Sequence, residues 1–115
     1  MENKFLTLHV FNKTFKLIGI KRKYSYNNTL AIELVDNKTH EPFAILTVNL
    51  PDSLFNEGKD LPPYVQAVDT NNCWWAEDFI KENNLGTPLG ISVPSGYCEY
   101  PLYSFDLSKL VEGEY

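Results

Sequence analysis

Long apolar runs are missing from this 115-residue chain, and no stretch approaches the roughly 20 residues that a membrane-spanning helix needs. The segment MENKFLTLHVF carries an acid, one lysine and no small-residue cleavage site, so it is not read as a signal peptide. Cysteine is scarce. Cys73 and Cys98 are the two present, too few for a disulfide framework, and they read as free thiols in a reducing cytosol. Histidine is equally scarce, and neither CxxC nor HxxxH spacing occurs among Cys73, Cys98, His9 and His40. That leaves no local metal motif, and no metal or cofactor is expected. Neither GxxxxGK[ST] nor GxGxxG occurs, which removes the usual phosphate-cradling loops.

The chain does hold apolar and charged residues in ordinary proportion, 43% and 22%. One domain over residues 1–115 follows, with a modest core that needs no disulfide. The net charge of −5 is uneven. Residues 1–56 hold seven basic and five acidic side chains, whereas residues 57–115 hold three basic and ten acidic ones. The second half should repel nucleic acid and attract basic surfaces.

The run DTNNCWWAEDFIKENN, residues 69–84, gives the one convincing helix pattern. Thr70, Asn71 and Asn72 offer capping oxygens, and Leu85-Gly86 with Pro88 beyond supplies a stop. At 100° per residue, Cys73, Trp75, Ala76, Phe79 and Ile80 share a face, while Glu77, Asp78, Lys81 and Glu82 share the other. Trp74 falls among the charges. It is covered by a neighbouring loop or it is an exposed anchor for a partner, because tryptophan is enriched at binding hot spots.

Strands are expected around this helix. Phe5–Phe11 turns at Asn12-Lys13 into Thr14–Lys21, where Ile18 and Ile20 face one way and Phe15 and Leu17 the other. Residues 22–28 read as a connection. Leu30–Val35 and Phe43–Leu50 follow, giving a four-strand meander. A loop over 51–63 is tethered by Leu54 and Phe55, and Tyr64–Val68 leads to the helix. Residues 86–96, rich in Pro and Gly, read as loop. Tyr97–Leu107 reads as a last strand, with Pro101 marking an edge or a bulge, and residues 108–115 as frayed. The fold class is α+β: a mainly antiparallel, twisted sheet of five or six strands with one main helix packed across it.

Three chemistries compete. Cys73 at the first helical turn, with His9 or His40 as base and Asp69 to orient it, would make a small cysteine-dependent enzyme. Otherwise Cys73 is a small apolar residue beside Ile80. Lys21, Arg22 and Lys23 beside Tyr24 and Tyr26 make a weak nucleic-acid motif, or an ordinary solvated hairpin tip. The third is a binding surface built from Trp74, Glu77, Asp78 and Glu82, with Tyr97 and Tyr100 as amphipathic aromatics of the kind that make interfaces.

VDTNN-x-x-WAE-x-F-I, ENNLG and SGYC-x-YP-x-Y-x-FDL, spread over residues 64–110, resemble a family known as domain of unknown function 4313. The resemblance implies a small accessory protein of a phage, plasmid or other mobile element, with no activity or catalytic residues to carry over. Such proteins often block host machinery. The expected function is therefore a non-catalytic interaction module, an inhibitor of a host defence protein of the anti-restriction or anti-CRISPR kind. Its expected partner is a host protein with a basic surface, such as a nuclease, rather than a membrane or a nucleic acid. No oligomeric state is assigned.

Overall fold

A computed structural model of the chain describes residues 4–24, 29–49, 62–95 and 97–113. Tyr26, Leu50, Leu54 and Phe55 lie outside the described residues, as does most of the loop expected over 51–63. The fold is α+β and mostly antiparallel, with one α-helix. The strands form two sheets instead of one layer of five or six. β1 (Phe5–Val10), β2 (Lys13–Lys23), β3 (Leu30–Asp36) and β4 (Pro42–Ile45) run in that order as a meander. β5 (Thr47–Val48), β6 (Val65–Val68), β8 (Cys98–Phe105) and β7 (Gly86–Ser95) form the second sheet in the order β5-β6-β8-β7. The helix α1 spans Ala76–Glu82, and a short β9 (Val111–Glu112) pairs in parallel with β2.

Strict alternation explains the first sheet. Leu6, Leu8 and Val10 on β1 point inward with Leu17 on β2 and Leu30, Ile32 and Leu34 on β3, all buried. A strand has a side-chain period of two, so the intervening residues line the opposite face. Phe43–Leu50 is not one strand. It breaks at Leu46, whose N–H donates to Ile32 O (2.9 Å) while its own carbonyl accepts from Asp69 N–H (2.9 Å). One residue thus joins a ladder of each sheet. Thr47 Oγ1 accepts from Ile32 N–H, and Gln66 Nε2 donates to Leu30 O, so buried polar groups stitch the sheets where they meet.

Residues 86–95, expected as loop, are the edge strand β7. Proline is tolerated there because an edge strand leaves N–H groups without a ladder partner. Between Pro88 and Ser92 the register with β8 slips, and Gly90 takes a φ of +77°, so the bulge absorbs the glycine. Pro101 therefore lies in an interior strand. It pairs with Ser92 just past the slip, beyond the last β6 partner of β8 at Leu102. Residues 108–113 of the tail are not frayed either. A 3-10 turn over Leu107–Lys109 precedes buried Leu110, and β9 follows. Gly19 makes room for this: a Cβ there would sit 2.7 Å from the Leu110 side chain.

The helix is shorter than its periodicity predicts. Asp69 accepts from Asn72 N–H (3.1 Å) and Cys73 N–H bonds Asp69 O (2.8 Å), so residues 69–75 form turns. Thr70, Asn71 and Asn72 do not cap it; Trp75 takes the N-cap position with no side-chain cap. The stop is Asn84 (φ +50°), two residues before the expected Gly86. Leu85 N–H reaches back to Ile80 O and Asn84 N–H to Lys81 O, the paired bonds of a Schellman motif. Ala76, Phe79, Ile80 and Leu85 are buried in the core, and each large side chain there contributes about 1.5–3 kcal/mol.

The helix end also covers the free edge of β1. Asn83 Oδ1 accepts from Thr7 N–H (2.9 Å), and its Nδ2 donates to Thr7 O (2.9 Å) and Phe79 O (2.8 Å). The side-chain amide pairs with the strand as a peptide group would, which closes an otherwise open edge.

Candidate functional site

The hairpin joining β1 to β2 turns at Phe11-Asn12, one residue earlier than the sequence suggests, with Val10 paired to Lys13. Both central residues have positive φ, +52° for Phe11 and +60° for Asn12, the pattern of a type I′ turn, whose twist suits the flanking strands. Asn tolerates that conformation. For a bulky residue such as Phe11 it is an outlier costing about 1–3 kcal/mol. Phe11 nevertheless stays 75% exposed. Its ring meets Trp74 edge-on, centroids 5.7 Å apart at 70°. Trp74, set just before the helix, is itself 64% exposed. Together with His9, Lys13 and Thr14 the two rings line an open groove of about 510 Å³.

Trp75 behaves differently. It is half-buried between Phe43 and Phe79, with centroids at 6.1 and 5.6 Å, so the neighbouring indole serves the core. Sequence reasoning separated these two tryptophans correctly but missed Phe11, because nothing in FNKT marks a phenylalanine for positive φ.

The expected acidic residues are all exposed and form a stripe over the outer side of the helix. Glu82 reaches His9 Nε2 at 3.8 Å, on the side of the aromatic pair. Glu77 and Asp78, with Lys81, Pro88 and Tyr103, line a second groove of about 420 Å³ on the β7–β8 side. Burial pushes the Tyr103 hydroxyl up to about 12, helped by the charge of Glu77, a hydrogen bond to it, and the charge of Asp78. Glu77 and Asp78 sit in the first turn and Lys81 in the last, which also suits the helix dipole.

Tyr97 and Tyr100 do not join this surface. Tyr97 is fully exposed at the tip of the β7–β8 hairpin. Tyr100 packs with Ala67, Val93 and Leu102 on the opposite face of the second sheet from the helix. Its hydroxyl is raised by a hydrogen bond to Cys98, then by burial, then by the charges of Cys98 and Asp69.

The other two chemistries find little support in the geometry. Cys73 is buried in the core, its Sγ donating to Ile45 O at 3.6 Å. Burial, then the charge of Asp69, pushes its thiol up to about 11, which leaves almost no thiolate at neutral pH. His9 instead bonds Thr14 Oγ1 and faces Glu82. In the basic run, Lys21 pairs with Glu112 at 2.7 Å and Arg22 with Glu33 at 3.0 Å. Tyr24 turns its hydroxyl inward to Thr47, and burial raises it. Among the described residues, no group of three or more His, Cys, Asp or Glu is placed to hold a metal ion. No described helix is long and apolar enough to cross a membrane.

The family model for a domain of unknown function (DUF4313) matches residues 19–114, spanning β2 to the tail beyond β9. The chain belongs to the DUF4313 family. No curated protein and no solved structure matches it. Within this family member, the Phe11–Trp74 pair straddles the limit of the match: Phe11 precedes residue 19 and Trp74 lies within it.

Proposed function

We propose that this DUF4313 protein is a non-catalytic interaction module of the cytoplasm that docks through Phe11 and Trp74 onto a basic-surfaced protein. The observation that carries the reading is the strained turn that holds an exposed phenylalanine ring against an exposed indole. Backbone strain at a solvent-facing aromatic gains nothing for the core, and strain of this kind clusters at ligand clamps. A rigid aromatic pair is the usual anchor of a binding hot spot. Glu82 on the side of the aromatic pair, with Glu77 and Asp78 on the β7–β8 side of the same helix, steers partners of positive charge. Two free thiols fit a reducing compartment. A nuclease of a host defence system has a surface of the required sign, and an inhibitor of such a protein is the specific role we assign.

Capture from host extract tests this, using the wild-type chain beside Trp74→Ala, Phe11→Gly and the triple variant Glu77→Lys, Asp78→Lys, Glu82→Lys. A partner held by the wild type should be lost from the aromatic variants, and from the triple variant most sharply at low salt. Equal retention on all four baits would overturn the assignment of this surface.

A further inference from the structure

The edge of β2 that faces β1 is longer than β1. The last pair between them is Phe5 with Ile18, and β2 runs on from Gly19 to Lys23. Backbone groups of alternate β2 residues turn to this side, and left open they would be a template for an extended chain. The chain's own tail covers them. Ile20 pairs with Val111 and Lys21 with Glu112, in parallel. Gly113 N–H donates to Lys21 O at 2.9 Å, and the Glu112 carboxylate meets Lys21 Nζ at 2.7 Å.

The tail is held unevenly. Buried Leu110 fixes its start over Gly19. From there on it buries little: Val111 is 40% exposed and the Glu112 side chain 78%. A two-residue strand with wet side chains and a surface ion pair belongs to the low-stability end of a fold, where segments open locally. Its fit is still selective. A Cβ on Gly113 would lie 2.9 Å from Lys21 O, Arg22 Cγ and Ile20 Cγ2. The edge therefore takes an apolar residue, an acid and a glycine in turn, held by main-chain pairing, the mode by which extended peptides add to sheets. We infer that the β2 edge at Ile20–Lys23 is a docking site for an acidic extended peptide of a partner protein, and that the tail is a built-in competitor that lifts off first. Ile20 lies seven residues along β2 from Lys13, roughly 23 Å from the Phe11 turn at 3.3 Å per residue. It selects acid where the aromatic surface selects base, so it stands apart from the docking surface proposed above.

The test uses full-length chains and the peptide acetyl-Val-Glu-Gly-Glu-Tyr, which repeats residues 111–115. Gly113→Val fills the space under the tail and releases it. Glu112→Lys releases it without bulk at the tight spot, by setting a second cation against Lys21. NMR titration to about 5 mM peptide should shift the Lys21 and Lys23 amides of both variants saturably. The wild type should bind about tenfold more weakly, as follows when its edge is open about a tenth of the time. The same peptide with lysine at both acid positions should bind none of the three, and added salt should weaken the acidic one. Trp74→Ala should behave like the wild type.

Released variants whose β2 amides stay unmoved at about 5 mM overturn the inference, and so does a wild type that binds as tightly as they do. Deuterium exchange of the wild type reads the tail without any substitution: a Gly113 amide that exchanges only on global unfolding means that the tail never lifts, and this too overturns it. A wild type that dimerises at about 1 mM while Gly113→Val does not would make the occupant a second copy's tail, and the assignment to a partner peptide falls.

Discussion

Replacing Asn83 with alanine removes three hydrogen bonds, two to the Thr7 peptide and one to Phe79 O. A neutral hydrogen bond contributes about 0.5–1.5 kcal/mol net, so the sum of the three lies between about 1.5 and 4.5 kcal/mol. One effect reduces it. Thr7 is only half-buried, so water can replace part of what is lost. The expected destabilisation is about 2 kcal/mol, read as a lower urea midpoint at unchanged slope. For a domain of this size it corresponds to a fall of roughly 8 °C in Tm. Asn83→Asp sharpens the test. Its carboxylate still accepts from Thr7 N–H but offers no donor to Thr7 O or Phe79 O, and it adds negative charge at a helix C-terminus. It should destabilise at least as much as alanine. An alanine variant within about 0.5 kcal/mol of wild type would refute the account of Asn83 as a surrogate strand.

Cys73 should resist iodoacetamide in the folded chain at mildly alkaline pH while half-exposed Cys98 is alkylated; peptide mapping by mass spectrometry reads both. Gly19→Ala should cost about 1–3 kcal/mol by pressing on the Leu110 and Leu6 side chains, as thermal unfolding would record. Trp74→Ala should lower stability by less than about 1 kcal/mol while removing the more solvent-quenched indole emission, because so much of that ring is already wet. Tyr103 should ionise near 12, later than an ordinary tyrosine, as tyrosinate absorbance would show. A folded-state value above the unfolded one means that its contribution is intact below about 10 and is lost as pH rises from 10 to about 12. Glu77→Gln should bring that titration down.

The meander was legible because β1, β2 and β3 each bury one face, and period-two alternation reports burial directly. The helix was legible as a segment but not in length. Its apolar period continues through residues 73–75, where Asp69 captures the local N–H groups and holds the chain in turns. β7 was hidden because proline and glycine mark breaks unless the strand is known to be an edge with a bulge, which is a property of the whole sheet. The tail was hidden for a related reason: Leu110 and β9 have meaning only beside Gly19 and Ile20. At the candidate site, the charge pattern exposed Trp74 and the three acids. Phe11 escaped, because the strain of its turn is a matter of φ and not of composition, and Tyr100 was misgrouped because strand parity sends it to the far face.

Leu46 has a mechanical consequence. Its N–H is tied into one sheet and its carbonyl into the other, so neither layer can peel away without breaking a hydrogen bond at this one residue. Partial opening of one half is therefore penalised by the other, and the two should melt as one cooperative body. The amides of Leu46 and Asp69 should exchange with deuterium only when the entire chain lets go.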